Sequence, residues 1–442
     1  MKRFCLILSV AACLNGMPDS VLAGNWPQWR GPNFNGSTSE KNLPTTWSKT
    51  ENVAWVAPMP GLSGATPAVW GDHVFVTSPD AQKNLLLYCL DRRTGKVLWE
   101  KQVGVGDRTI GRNNMASPSP ATDGKSVYVM FGTGDLAAYD FSGKELWHRN
   151  LAKEYGKFSL MWLYGSSPLL YKGRLYVQVL QRDPPDDYSH ALDDKPTRES
   201  YVLCIDAKTG KNVWRQIRPT EALKESQESY ATPIPFKGKN GEEILILGGD
   251  VITGHSPKDG KEIWRCGGLN QKNSPWWRIV PSPVTGDGLI FAFAPKKEPV
   301  FAIRDGGKGL ITDTHVAWQF DEYATDCVTP LYYNNRLYVF DGDRQVMTCL
   351  EPATGKKLWQ GNMGVREIFR SSPTAADGKI YCISEPGTVF VLEAGDEFKI
   401  LSTIKMSEEP CRSSIAIASG QLFIRTAENL YCIGKPAAAK EK

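Results

Sequence analysis

Long apolar runs are scarce in this chain of 442 residues: beyond Phe4–Leu14, no segment approaches the ~18 apolar residues that a membrane-spanning helix requires. Histidine is rare, with 5 scattered residues, and neither a C-x-x-C nor a His-Cys cluster occurs, so zinc-type ligand spacing is missing. No two of the 10 cysteines are adjacent, and no C-x-x-C-H marks a haem attachment site. Charge of one sign is lacking too. The formal net charge is +4, too little over so large a surface to make nucleic acid a partner. There is no P-loop, dinucleotide fingerprint or Ser–His–Asp context. The glycines of GTGDLAAYD (132–140) form a strand-to-strand turn with no helix to receive a phosphate. Helical periodicity is sustained nowhere, which excludes a helical core. These absences leave no catalytic or metal-ligating residues to name.

The one apolar run follows Lys2-Arg3, and Val21-Leu22-Ala23 precede Gly24, the pattern of a cleaved export signal over residues 1–23. Val10-Ala11-Ala12-Cys13 also fits a lipobox, which makes lipid attachment at Cys13 the alternative. Either route predicts a periplasmic or secreted monomer. Of the remaining cysteines, Cys89, Cys204, Cys349 and Cys432 share one repeat position and read as compact packing residues. Cys266, Cys327, Cys382 and Cys411 could pair in an oxidising compartment, with connectivity left open.

What the chain has in abundance is turns, with 41 Gly and 29 Pro, and two recurring anchors. The first is LDRRTGKVLWEK (90–101), repeated as YDFSGKELWHRN (139–150), IDAKTGKNVWRQ (205–216), SPKDGKEIWRC (256–266) and LEPATGKKLWQG (350–361). The second is a Pro followed eight residues later by the centre of an apolar triplet, as in SPATDGKSVYV. It begins at Pro67, Pro120, Pro168, Pro233, Pro283, Pro330 and Pro373, with Ile415 in place of the last Pro. Successive anchors stand 42 to 65 residues apart, near the period of about 40–50 that four-stranded propeller blades show. In each unit the acid or small polar residue can accept from backbone N–H groups two or three positions on, the Gly provides a positive φ, and the Trp fills the wedge where blades splay apart. A Pro at the first residue of the innermost strand forfeits no ladder bond, because that edge faces the channel.

The predicted fold is therefore all-β: an eight-bladed propeller of four-stranded antiparallel blades over residues 52–435, preceded by a lead-in segment (24–51) and followed by a tail (436–442). After Ile415 only three strands remain, and Trp55 in ENVAWVAP (51–58) matches the Trp of the other units. Residues 52–58 are accordingly predicted to supply the outer strand of the last blade, a latch that removes an exposed sheet edge.

The DxxTGKxLW half-repeat, with the preceding SPxxxDGKxYV, resembles the pyrroloquinoline-quinone (PQQ)-type propeller repeat, and NWPQWRGPNFNG (25–36) is similar to the opening of exported bacterial proteins built on it. The resemblance spans about residues 25–435. It implies three kinds of relative: quinoprotein dehydrogenases, the propeller lipoprotein of the outer-membrane protein assembly machine, and envelope proteins of other roles. The dehydrogenases hold their quinone between a Trp and a ring of two adjacent cysteines, with calcium on Glu and Asn and an Asp as base. This chain has no adjacent cysteines. The expected function is non-enzymatic binding or scaffolding in the cell envelope with no cofactor; the alternative is a PQQ- and calcium-dependent dehydrogenase with an atypical site.

The turns on one face are tight, and the long connections (107–118, 157–168, 270–283, 321–330, 362–373 and 406–415) all fall on the other, which makes that mouth face the expected binding surface for an envelope protein or a small molecule. Its candidates are Arg112, Asn113, Trp162, Tyr164, Trp276, Trp277, Arg278, Tyr323, Arg366, Arg370 and Arg412, residue types favoured at binding hot spots. The competing reading is that they plug the mouth, with REIFR (366–370) paired to Glu408 and Glu409. The insertion 181–201 carries Asp183, Asp186, Asp187, Asp193 and Asp194, but Pro184-Pro185 breaks any EF-hand spacing, so it reads as a solvated acidic loop.

Overall fold

The computed structural model describes residues 24–190, 197–294, 296 and 298–435; residues 1–23, where an export signal is expected, the tail, Asp193 and Asp194 lie outside the described residues. Eight antiparallel blades surround a channel. Blade 1 runs outward through Ala68–Trp70, His73–Pro79, Asn84–Asp91 and Val97–Val105. Blades 2 to 7 repeat this order, their inner strands opening at Ala121, Leu169, Ile234, Val284, Leu331 and Thr374, each the residue after an anchor Pro. The middle strands are sandwiched between neighbouring blades, which is why Leu85–Leu90 is a continuous apolar run, buried throughout.

Blade 8 contains Ala416–Ala418, Gln421–Arg425 and Asn429–Ile433, and its outer strand is Val53–Pro58. That strand pairs antiparallel with Asn429–Ile433, placing Trp55 opposite Cys432. The latch expected at 52–58 is thus present, and the ring closes with no three-stranded blade.

The repeated tryptophans join one blade to the next. Trp55, Trp99, Trp147, Trp214, Trp318 and Trp359 each donate their indole N–H to a backbone carbonyl in the following blade's turn, at 2.7 to 3.1 Å. In five of these seams the ring lies over a turn glycine: Gly95, Gly143, Gly210, Gly260 and Gly355. The turn itself is held as expected, Asp91 Oδ1 accepting from the N–H groups of Arg93 and Thr94 at 3.1 and 2.9 Å. Cys89, Cys204, Cys349 and Cys432 are buried, each directly across the ladder from a Trp. All eight cysteines among the described residues are unpaired.

Two seams differ. Trp264 of blade 4 donates to Glu243 in its own blade at 2.6 Å, and blade 5 instead sends Gly309–Leu310 across to pair in parallel with Trp264 and Arg265. Blade 7 has Ser402 where a Trp would stand, and its hydroxyl donates to the Thr45 carbonyl. Leu43 and Trp47 of the lead-in segment join the hydrophobic cluster there.

Gly210 and Gly288 both adopt positive φ, but a Cβ on Gly210 would lie 2.6 Å from the Trp147 ring, whereas one on Gly288 meets nothing within 4 Å. Gly288→Ala is expected to cost about 1–2 kcal/mol for its left-handed backbone alone. Gly210→Ala should cost about 1–3 kcal/mol more through overpacking. Thermal and urea denaturation of the pair checks this, and equal losses would show that the Trp–glycine contact carries no weight.

Candidate functional site at the mouth of the channel

The lead-in segment closes the tight-turn end of the channel. Trp26 exchanges two backbone bonds with Val69 of blade 1, at 2.9 and 2.8 Å. Pro27 accepts from Thr122 of blade 2, and the Gln28 amide both donates to and accepts from Leu170 of blade 3. Trp29 donates its indole N–H to Ser282 Oγ of blade 5 at 3.3 Å. Arg30 reaches the carbonyls of Pro373 and Pro330, both at 2.8 Å, and that of Asn35 at 3.1 Å. Its guanidinium is buried without a carboxylate partner among the described residues, and burial lowers its pKa to about 9. One short segment therefore touches most of the ring, and the Trp29 ring becomes a floor.

Above that floor runs a belt of hydroxyl groups. The Ser or Thr before each anchor sits at the channel, and its Oγ accepts the backbone N–H of the equivalent residue one blade earlier. Thr66, Ser119, Ser167, Thr232, Ser282, Thr329, Ser372 and Ser414 are linked in this order at 2.9 to 3.2 Å. The belt stops at the seam between blades 8 and 1, where Thr66 Oγ1 is buried with no partner.

Floor, belt and mouth loops enclose a cavity of about 360 Å³. Of the residues singled out in the sequence, Arg112, Asn113, Trp162, Arg278, Arg370 and Arg412 line it. The other five do not. Tyr164 lies in the core, its hydroxyl donating to the Gln178 carbonyl at 2.9 Å. Trp276 and Trp277 stand on the outer rim beneath Lys224 and Lys272, at 5.0 and 5.3 Å. Tyr323 stacks under Arg344, and Arg366 is exposed. The expected pairing of REIFR with Glu408 and Glu409 is replaced: Arg370 pairs with Asp343 at 2.7 Å, while Glu408 accepts from Thr426, Asn429 and Tyr431.

Sequence reasoning missed Trp29, the hydroxyl belt, and Tyr230 from the connection between blades 3 and 4; Trp29, Tyr230 and six of the belt's eight members line the cavity. The belt had a signal: Ser or Thr precedes the Pro in every unit that has one. Tyr230 and Trp29 had none, since nothing in one blade says what an adjacent loop or a distant N-terminal segment will place beside it.

The wall is a set of shared ion pairs. Arg278 holds Asp326 through two bonds of 3.1 Å, with Glu225 at 3.6 Å. Arg112 and Arg412 share Glu385, at 3.2 and 2.9 Å. Trp162 donates its indole N–H to Glu225 at 2.8 Å. Burial acts to raise the Asp326 carboxyl, but the charge of Arg278 outweighs it and keeps Asp326 below its ordinary value. For Cys327, burial first and the Asp326 charge second push the thiol up to about 12, the direction that disfavours the thiolate. Behind the wall Glu228 accepts from Tyr230 Oη at 2.7 Å and from the Met161 N–H at 3.0 Å, and it pairs with buried Arg182 at 2.7 Å. Arg182 also takes Asp186, and Asp183 accepts the Arg198 N–H at 2.8 Å, so these insertion aspartates hold the chain.

Comparison with known proteins gives a consistent fold and several roles. The family model described as outer membrane protein assembly factor BamB matches residues 37–178, 108–316 and 309–397. The quinohemoprotein alcohol dehydrogenase of Comamonas testosteroni is 24% identical over 259 residues, 57% of this chain and 34% of the relative. Its crystal structure superposes with a TM-score of 0.66 at 13% identity, covering 95% of this chain and 82% of that one. The tetrathionate hydrolase of Acidithiobacillus ferrooxidans is 22% identical over 303 residues, 67% of this chain and 53% of the relative. This chain thus spans about a third and about half of those two curated relatives. BamB from Moraxella catarrhalis superposes with a TM-score of 0.58 at 13% identity, covering 86% of this chain and 99% of that one.

Burial raises the Glu228 carboxyl from 4.5 to about 7, against the Tyr230 hydroxyl and the Arg182 charge. Because the folded value lies above the unfolded one, the stabilisation is complete below pH 4.5 and is lost as pH rises to about 7. Glu228→Gln removes this titration, so wild type should lose up to about 3 kcal/mol relative to the variant across that window. Melting temperatures of both proteins, recorded at intervals of pH, test it; parallel curves would overturn it.

Proposed function

The chain belongs to the BamB-type family of PQQ-like propellers, and on that premise we propose that it is an exported binding protein that takes a small-molecule ligand in the mouth cavity. The observation that carries this reading is the cavity itself, floored by Trp29 and lined from every one of the long connections named above. Ligand sites are typically concave, largely pre-formed and built from few polar groups on an apolar wall. Export rests on the pattern of residues 1–23. All four arginines that line the cavity among the described residues are held by ion pairs, which fixes their forks in place before a ligand arrives.

The calcium-bound quinone of the dehydrogenase relatives does not fit this donor set. Calcium takes about 6–8 oxygen ligands, whereas Asp326, the carboxylate that lines the cavity among the described residues, is already held bidentate by Arg278, and Asp343 and Glu385 beside it are likewise tied to arginines. Cys327 has no adjacent cysteine with which to form a ring.

Gly64 tests the reading. A Cβ there points at the cavity with Ser117 Oγ at 3.6 Å and Arg412 Cβ at 3.9 Å, ordinary contacts that cost the fold little. Gly64→Leu is therefore expected to melt like wild type while reducing the affinity for a bound small molecule by more than about tenfold, on the order of 1.4 kcal/mol. A thermal-shift screen of metabolites, including PQQ with calcium, supplies the ligand. A ligand that binds both proteins equally lies outside the cavity and overturns the assignment; turnover with PQQ and calcium restores the dehydrogenase reading.

A further inference from the structure

The cavity is rich in donors and poor in acceptors. Six belt hydroxyls line it: Ser119, Ser167, Thr232, Ser282, Thr329 and Ser372. Each already accepts a backbone N–H from a neighbouring blade, and Ser282 accepts a second bond from Trp29. Among the described residues none of the six finds a protein acceptor for its own O–H. A hydroxyl offers one proton and two lone pairs, so Ser282, with both lone pairs engaged, can only donate, and the other five each keep one lone pair beside an uncommitted proton.

Charge points the same way. Arg278 and Arg370 are each matched by a carboxylate, Asp326 and Asp343, whereas Arg112 and Arg412 share one, Glu385, and Arg112 is half exposed. Behind the floor sits Arg30, its guanidinium carbon 5.7 Å from the centre of the Trp29 ring and bonded only to carbonyls. A buried cation without a counter-charge projects a positive potential through a low-dielectric wall. Asp326, the carboxylate that lines the cavity among the described residues, is spent on Arg278.

We propose, resting on the mouth-cavity reading above, that the ligand is a small acceptor-rich anion bearing carboxylate, phosphate or sulfate oxygens, held between the arginine wall and the hydroxyl floor. A volume of about 360 Å³ admits a metabolite-sized anion and no polymer. The oxyanion takes the place of the acceptors that the belt protons lack, and the arginine forks suit its geometry.

The test uses titration calorimetry of the mature protein with citrate, pyrophosphate and sulfate, beside the neutral sugar trehalose, in wild type, Gly64→Leu, Arg112→Gln and Arg412→Gln. At least one anion is expected to bind, with affinity falling as salt rises, by about tenfold or more in Arg412→Gln and to background in Gly64→Leu. Arg112 is solvent-facing, so Arg112→Gln keeps the fold and gives a second reading of the wall charge. Binding of citrate alone assigns carboxylates; binding of pyrophosphate or sulfate alone assigns phosphorus or sulfur oxyanions. Anion binding that survives Gly64→Leu is a surface effect and overturns the inference. Absence of any anion binding overturns it as well. Tight binding of trehalose that Gly64→Leu removes overturns the charge assignment while leaving the cavity as the ligand site.

Discussion

The contact on which the architecture depends is the tryptophan of one blade seated on the turn of the next. A propeller blade has its own ladder hydrogen bonds, but a ring of blades needs something that fixes each one's angle to its neighbour. The indole supplies both terms: a hydrogen bond to a turn carbonyl, as from Trp147 to Ala207 at 2.9 Å, and apolar area over the Gly210 backbone. Two further constraints follow from it. The turn must have no side chain where the ring lies. The residue across the ladder from the Trp must be small, and it is Cys, Ala or Gly at every such position: Cys89, Ala138, Cys204, Gly254, Ala302, Cys349 and Cys432. The recurrence of cysteine is thus a packing requirement set by its partner.

Where that contact is missing, another element takes over, and the most economical substitution falls at the end of the ring. Blade 7 has no Trp, and the segment that fills its seam with Thr45 and Trp47 continues into the strand that completes blade 8. The same stretch of chain, a few residues earlier, seals the channel through Gln28, Trp29 and Arg30. Residues 24–58 consequently perform three tasks: floor, wedge and latch. The hydroxyl belt stops at the junction where the latched blade meets the first, and there the chain itself, running from Val53–Pro58 into blade 1, joins the two blades together with bonds from Trp55 to Arg92 and from Arg92 to Gln421.

The blades were legible because their anchors are local: Pro, Gly and Trp at near-constant spacing report backbone requirements that each unit must satisfy by itself. The latch was legible by counting strands against blades. The site was only partly so. Loop length identified the mouth face, and six of the candidates, Arg112 and Arg412 among them, do reach the cavity. The direction of a side chain on an irregular loop is not periodic, however. Trp162 turns inward to Glu225 while Tyr164, two residues on, is drawn into the core by the Gln178 carbonyl. Trp276 is held on the rim by Lys224 from another loop and Trp277 by Lys272 of its own, and Arg370 finds Asp343 in the preceding blade where acids downstream had looked suitable. Apart from that of Trp277, these outcomes depend on tertiary partners that no window of sequence contains.

The belt shows why structure and recognition are hard to separate in this fold. Each hydroxyl that lines the cavity accepts a backbone N–H and so ties one blade to the next, while its proton has no protein acceptor among the described residues. A ligand accepting several of those protons touches several blades at once, and it competes with none of the bonds that close the ring. Binding then adds to the stability of the closed state by mass action, and it does so at the radius where all blades converge. A site assembled from one residue per blade also tolerates change in any single loop, because no loop supplies more than a fraction of the contacts. The constraint that survives such change is the donor ring and the charge behind it, both of which belong to the scaffold.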